Sequence, residues 1–192
     1  MPRPGDRRPL IADHAIAVLA RGGPRALTHQ AVDRDTGLTG GSTSYYFRTR
    51  EALVSAAVER IRFHSRAAFD AAPLPDPLTT GTASEFIADQ LLALTTERRS
   101  QALAVIALLP EVAARSEDRP DLLSCLFSRQ LAGELAKALG CAPDSQTGLA
   151  EELVDFLTGR LISALFLPDV GGRDLRMETQ RSVERLLRAS LG

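Results

Sequence analysis

The stretch Gly40-Gly41-Ser42-Thr43-Ser44-Tyr45-Tyr46 places five hydroxyl-bearing side chains directly behind two glycines. Such hydroxyls both donate and accept, so they suit phosphate oxygens and base edges, while glycines let the backbone approach either closely. Arg50 follows with a guanidinium fork that can grip a phosphate on two oxygens. Catalytic chemistry is harder to find. There is no nucleophile elbow, no phosphate-cradling loop and no glycine fingerprint on a strand. His14, His29 and His64 have no metal-ligand spacing among themselves or with Cys125 and Cys141, so neither a metal nor a cofactor is expected, and the chain is not read as an enzyme.

The elements that would carry these residues are helices. Leu10, Ile11, His14, Ala15, Val18 and Leu19 recur on one face of a first helix, which Gly22, Gly23 and Pro24 end. Thr28 stands as N-cap of a short helix over 29–36, and Gly37 can close it in the left-handed conformation. Thr39 is expected to cap a third helix running from Gly40 to Tyr46, whose N-terminal amides would add a partial positive charge. That segment has poor helical propensity: two glycines each cost about 1 kcal/mol against alanine, so tertiary packing must hold it. Leu38, Val32 and Phe47 read as core.

Thr49 is placed to cap a fourth helix, with Leu53, Ala57, Ile61, His64 and Ala68 on one face, reaching to about residue 72. Prolines 73, 75 and 77 stop it, and 73–81 reads as a linker. Beyond it helical patterning recurs over about 82–97, 101–114 with a kink at Pro110, 120–139, 146–167 and 174–190, with turns such as 168–172 between. No run alternates as a strand would, so the fold class is all-α.

At 192 residues, 44% hydrophobic and 24% charged, the chain has the make-up of a folded globular protein. Its net charge of −1 conceals an asymmetry, because residues 1–70 hold 11 arginines against 7 acidic residues and the remainder is acidic. A protein that meets phosphates with one end would be built this way. Residues 153–167 are interrupted by Asp155 and Arg160 and are not a membrane span, so a soluble, cytoplasmic protein is expected. Cys125 and Cys141 read as buried thiols.

The contiguous run LTHQAVDRDTGLTGGSTSYYFRTREAL, residues 27–53, resembles the N-terminal signature of the TetR family of bacterial regulators. The parts occur in that family's order: a first helix ending in glycine, a threonine, a short helix ending in glycine, an aromatic-rich recognition helix ending in phenylalanine, then a basic residue. The resemblance implies an N-terminal helix-turn-helix domain, residues 1–50, and a C-terminal helical domain, residues 51–192, that binds an effector and dimerises, with helix 51–72 bridging the two.

It further implies that Thr28, Thr39, Gly40, Gly41, Ser42, Thr43, Ser44, Tyr45, Tyr46 and Arg50 meet double-stranded DNA. Ser42, Thr43 and Ser44 would read bases, and Tyr45, Tyr46 and Arg50 would hold phosphates. The family often has lysine where Gly40 stands and usually tyrosine where Ser44 stands, so the reach of both positions is shortened here.

For the second domain the resemblance implies a homodimer whose last two helices form a four-helix bundle, with Leu153, Phe156, Leu157, Leu161 and Leu165 at the interface. No tyrosine or tryptophan follows Tyr46, so a pocket there would be apolar, with Gln90, Thr95, Cys125 and Gln130 as candidate polar anchors for a small apolar or amphipathic effector. The function implied is a ligand-responsive transcriptional regulator, a repressor released from a palindromic operator by its effector. The alternative is a helical ligand-binding or interaction module without DNA binding.

Overall fold

The computed structural model describes residues 7–114, 122–167 and 174–191, the side chains of 112–114 excepted. Within them lie nine α-helices and no strand. They are α1 (Arg7–Ala26), α2 (His29–Thr36), α3 (Ser42–Tyr46), α4 (Arg50–Asp70), α5 (Thr80–Thr95), α6 (Arg99–Ala114), α7 (Arg129–Ala138), α8 (Pro143–Phe166) and α9 (Leu175–Leu191), with a 3₁₀ turn at Leu122–Cys125. None of the described helices is long and apolar enough to cross a membrane.

The chain divides into two compact units. The first comprises Met1–Asp70 and Ser100–Cys125, the second Ala71–Arg99 and Leu126–Gly192. This division differs from one at residue 50: α4 lies in the first unit along its whole length, and most of α6 joins it there.

In the first unit α1 packs on α2 and α4, and α2 on α3. Ile11, Ala15 and Leu19 of α1, Leu27, Val32, and Leu53, Ala57 and Ile61 of α4 are buried, the faces that the apolar spacing marks. Leu10 is an exception at 42% exposed. Gly23 breaks the α1 helix geometry with a positive φ before its last residues, where the Gly-Gly-Pro sequence predicts the end. The Thr28 hydroxyl accepts from the Ala31 amide at 3.1 Å and Gly37 closes α2 in the left-handed region, both as the sequence predicts. The Thr49 hydroxyl accepts from the Ala52 amide at the start of α4.

In the second unit α5 packs on α9, α7 on α8, and α8 on both α9 and α5. Its core joins Ala83 and Ile87 of α5, Leu135 and Ala136 of α7, Leu149, Leu153 and Leu157 of α8, and Val183 and Leu187 of α9. α5 opens on a capping box between Thr79 and Thr82. Pro143 is the first residue of α8, where its missing N–H costs nothing. The helix expected over 120–139 is two elements, because Ser128 caps α7 through the Leu131 amide and ends continuity with the 3₁₀ turn. The expected turn over 168–172 lies outside the described residues.

Leu153, Leu157, Leu161 and Leu165, expected at a dimer interface, are buried within the single chain, Leu161 completely. Phe156 is half-buried and packs against the same core. A broad apolar stripe on a helix signals burial but not by what, and here α8 has neighbours of its own chain to cover it. The large apolar side chains left exposed on α8, on its C-cap and on α9 are Ile162, Phe166, Leu167 and Met177.

Candidate nucleic-acid interface

The recognition segment is shorter than its sequence suggests. α3 has five residues, its N-cap is Gly41 at φ 90° and not Thr39, and Gly40 and Gly41 form the turn before it. The positive φ at Gly41 is a conformation that side-chain-bearing residues rarely adopt. A five-residue helix cannot stand alone in water, so its neighbours must hold it.

α2 does so at both ends. Asp33, only 4% exposed, accepts from the Gly41 amide at 2.8 Å and from the Thr43 amide at 2.7 Å, one on each carboxylate oxygen. Burial alone would raise its pKa, but the Thr43 side chain and the amides of Thr43 and Gly41 outweigh it and hold the carboxyl below its usual range. At the other end His29 Nε2 donates to the Phe47 carbonyl at 2.6 Å. The Phe47 ring is buried in the core, as expected.

The side chains of α3 then divide by exposure. Tyr45 is 77% exposed and Ser44 is exposed, its hydroxyl donating to the Gly41 carbonyl at 2.9 Å. Tyr46 is half-buried, edge-on to Tyr45, with the Arg8 guanidinium 5.9 Å above its ring. Ser42 is half-buried, and Thr39, Gly40 and Gly41 are exposed. Thr43 has no exposed surface, and its hydroxyl lies beside the Asp33 carboxylate without hydrogen-bond geometry. A side chain so placed anchors α3 and cannot touch a base, unlike the role its residue type suggested.

Arg50 departs from expectation too. Its guanidinium donates to Glu111 of α6 at 2.7 and 3.3 Å and to the Pro24 carbonyl at 2.8 Å, so its fork is occupied by a carboxylate of the same unit. Arg48, two residues earlier, is exposed. Thr28 is exposed at the rim of an open cleft of about 630 Å³ that also presents Arg21, Arg25 and Arg34.

Two further carboxylate clusters fix α1 in place. Asp13 accepts from Arg60 of α4 twice at 2.8 Å and from His64 at 2.6 Å. Asp35 of α2 accepts from His14 at 2.7 Å and pairs with Arg21. In both cases burial works against ionisation and the hydrogen-bonded partners prevail, holding each carboxyl below its ordinary pKa. Sequence reading missed Asp33, Asp13 and Asp35. The only local signal for Asp33 was an acidic residue next to core Val32, followed by a helix start whose cap position carries no side chain.

The four candidate effector anchors are not one group. Gln130 is exposed and donates to Glu134, and the Thr95 hydroxyl turns back onto the Leu92 carbonyl. Cys125 is buried in the first unit, where its carbonyl accepts from Ser65. Gln90 is half-buried on α5 in the second.

No family model and no curated protein matches the chain. Solved structures do, over nearly its whole length. A member of the TetR family from Streptomyces coelicolor A3 is 23% identical, with 96% of this chain and 98% of that one covered at a TM-score of 0.66. The multidrug-binding protein EbrR, solved with malachite green, is 25% identical over 94% of this chain and 98% of its own, with a TM-score of 0.67. A TetR-like transcriptional regulator from Rhodococcus sp. RHA1 aligns over 100% of this chain and 98% of its own with a TM-score of 0.69, at 16% identity.

Proposed function

From the fold of the TetR-family transcriptional regulators, which this chain has, we propose that it is a ligand-responsive regulator that binds a palindromic DNA operator as a homodimer, acts as a repressor, and lets go when a small apolar or amphipathic molecule binds. The observation that carries this reading is the recognition segment itself. α3 is tied to α2 at both ends, and from that anchored frame Ser44 and Tyr45 project into solvent.

Ser44, with Thr39 and Ser42, reads base edges, and Tyr45 and Tyr46 hold phosphates. The short reach of Ser44 and the absence of a side chain at Gly40 favour water-mediated readout beside it. Thr28, Arg25 and Arg34 offer a second phosphate contact at the cleft between α1 and α2. Arg50 reaches a phosphate only if its pair with Glu111 opens, which makes that pair a place where movement of α6 would be felt at the DNA surface.

Two copies read two half-sites about one helical turn apart. The exposed Ile162, Phe166, Leu167 and Met177 are the surface that a second copy would cover. EbrR binds malachite green, and the leucine-rich second unit supports an effector of apolar or amphipathic kind here.

The test is selection of bound duplexes from a random pool, followed by affinity measurement against salt. A palindrome should be enriched, with log affinity falling by about 0.9 per phosphate contact for each tenfold rise in salt. Absence of any enriched duplex would replace this reading with a helical ligand-binding module.

A further inference from the structure

We infer that Asp33, a residue of α2 that does not face the DNA, is the positioning residue of the recognition segment, fixing the orientation of α3 and with it the sequence that the protein reads. The inference rests on the regulator reading above and deepens it.

Three observations converge on this side chain. The cap position of α3 is Gly41, which has no side chain to satisfy the first amides of the helix. Asp33 supplies that function from eight residues away in sequence, its two oxygens taking the Gly41 and Thr43 amides at 2.8 and 2.7 Å. It does so from a site that is 4% exposed, where a carboxylate persists only if its lone pairs are met.

The arrangement has a consequence for how DNA is read. In a helix with a free N-terminus the first amides attract a phosphate. Here Asp33 already holds those of Gly41 and Thr43, so that end of α3 has little positive potential to offer. Contact must come from exposed side chains such as Ser44 and Tyr45, whose directions follow from how α3 is held. The completely buried Thr43, whose amide Asp33 grips, sits between those exposed residues and the core. An error in the angle of a five-residue helix moves every reading side chain together.

Asp33→Asn and Asp33→Ala separate orientation from mere stability. Asparagine keeps one acceptor but turns the other into an NH₂ facing an amide donor, so one of the two bonds is lost; alanine loses both. The full-length wild type and both variants are compared by amide hydrogen exchange at Gly41 and Thr43, and by affinity for the duplex that the wild type selects against a scrambled duplex of equal length. Thermal unfolding sets the temperature at which each variant is folded.

Both amides should be protected in the wild type and exchange faster in the variants. Discrimination should fall about tenfold in Asp33→Asn and further in Asp33→Ala, the scale of losing a hydrogen bond to a charged group. The salt slope should not change, because no phosphate contact is removed. Arg25→Ala, which removes a cation from the proposed phosphate contact at the cleft, serves as the opposite control, lowering the slope by about 0.9 with discrimination kept.

Unprotected amides in the wild type, or a folded Asp33→Ala that discriminates as well as the wild type, overturn the inference. Failure of the regulator reading looks different: the wild type itself then prefers no duplex, and the exchange arm alone decides whether Asp33 holds α3.

Discussion

In the first unit the helices are joined, over and above their apolar core, by carboxylates reaching across from one helix to the next. Asp13 ties α1 to α4, Asp35 ties α2 to α1, and Asp33 ties α2 to the start of α3. In the second unit the joints are mainly apolar side chains, Ala83 and Ile87 of α5, Leu149, Leu153 and Leu157 of α8, and Val183 and Leu187 of α9; the ion pairs Arg176–Asp89 and Arg129–Asp155 lie on exposed surface, and Arg160–Glu178 is a single half-buried contact between α8 and α9. The difference is one of directionality. Apolar contact is roughly proportional to area and tolerates sliding, whereas a two-oxygen carboxylate clamp admits one geometry. On the proposed function, a surface that must match the spacing of base pairs needs the second kind of joint, and a core that must open around a small molecule is served by the first.

The largest effect that tests this contrast is loss of apolar core. Leu153→Ala in the second unit should cost about 2–5 kcal/mol. Both tyrosines of the chain, Tyr45 and Tyr46, are in the first unit and there is no tryptophan, so tyrosine fluorescence reports that unit alone while circular dichroism reports all helices. The dichroism midpoint should fall while the tyrosine midpoint moves less. Coincident shifts would mean that the units unfold as one and that their different joints do not separate them.

Acid should act the other way round. Asp13, Asp33 and Asp35 all have folded pKa values below the ordinary carboxylate value. Their contribution is complete above the unfolded pKa of about 3.9 and is lost as pH falls through the lower folded values. The tyrosine-reported unit should therefore loosen below about pH 4 ahead of the second. Removing one clamp at neutral pH is a smaller change: Asp13→Ala leaves Arg60 and His64 without their partner, and because all three are partly exposed the cost should be about 1–2 kcal/mol by denaturant unfolding. No change at all would show that the Asp13 cluster is ornamental.

What the sequence made legible follows the same division. Local signals were sufficient for local structure: the Thr28 cap, the left-handed Gly37, the Thr49 cap and the apolar faces of α1 and α4 all lie within windows of a few residues. The TetR-like arrangement of helices was legible because it is a sequence of such windows. The Asp33 clamp was not, since it links residues eight and ten positions apart through a turn whose path no short window specifies. Thr43 reads as one hydroxyl among several in the sequence, yet the turn at Gly41 rotates it inward and leaves Ser44 out. Nor could the breadth of the α8 stripe distinguish a partner's surface from the chain's own α5 and α9.

The finest test is a hydroxyl buried in the apolar unit. Thr179 of α9 has no exposed surface, and its Oγ1 has no hydrogen-bond partner among the described residues. A buried hydroxyl left in that state forfeits its hydration without compensation, and replacement by an apolar group of the same shape is neutral or stabilising. Thr179→Val should therefore raise the dichroism midpoint, by up to about 1 kcal/mol of stability, and leave the tyrosine midpoint in place. The corresponding change in the first unit, Thr43→Val, removes a hydroxyl that likewise has no hydrogen-bond partner but lies beside the Asp33 carboxylate, whose charge a hydroxyl dipole favours, and there the same isosteric swap should destabilise. Opposite signs for one substitution at two completely buried threonines would locate the difference between the units in how each treats a polar atom. Equal signs would mean that Asp33 takes nothing from the Thr43 hydroxyl, leaving its clamp on the two backbone amides alone.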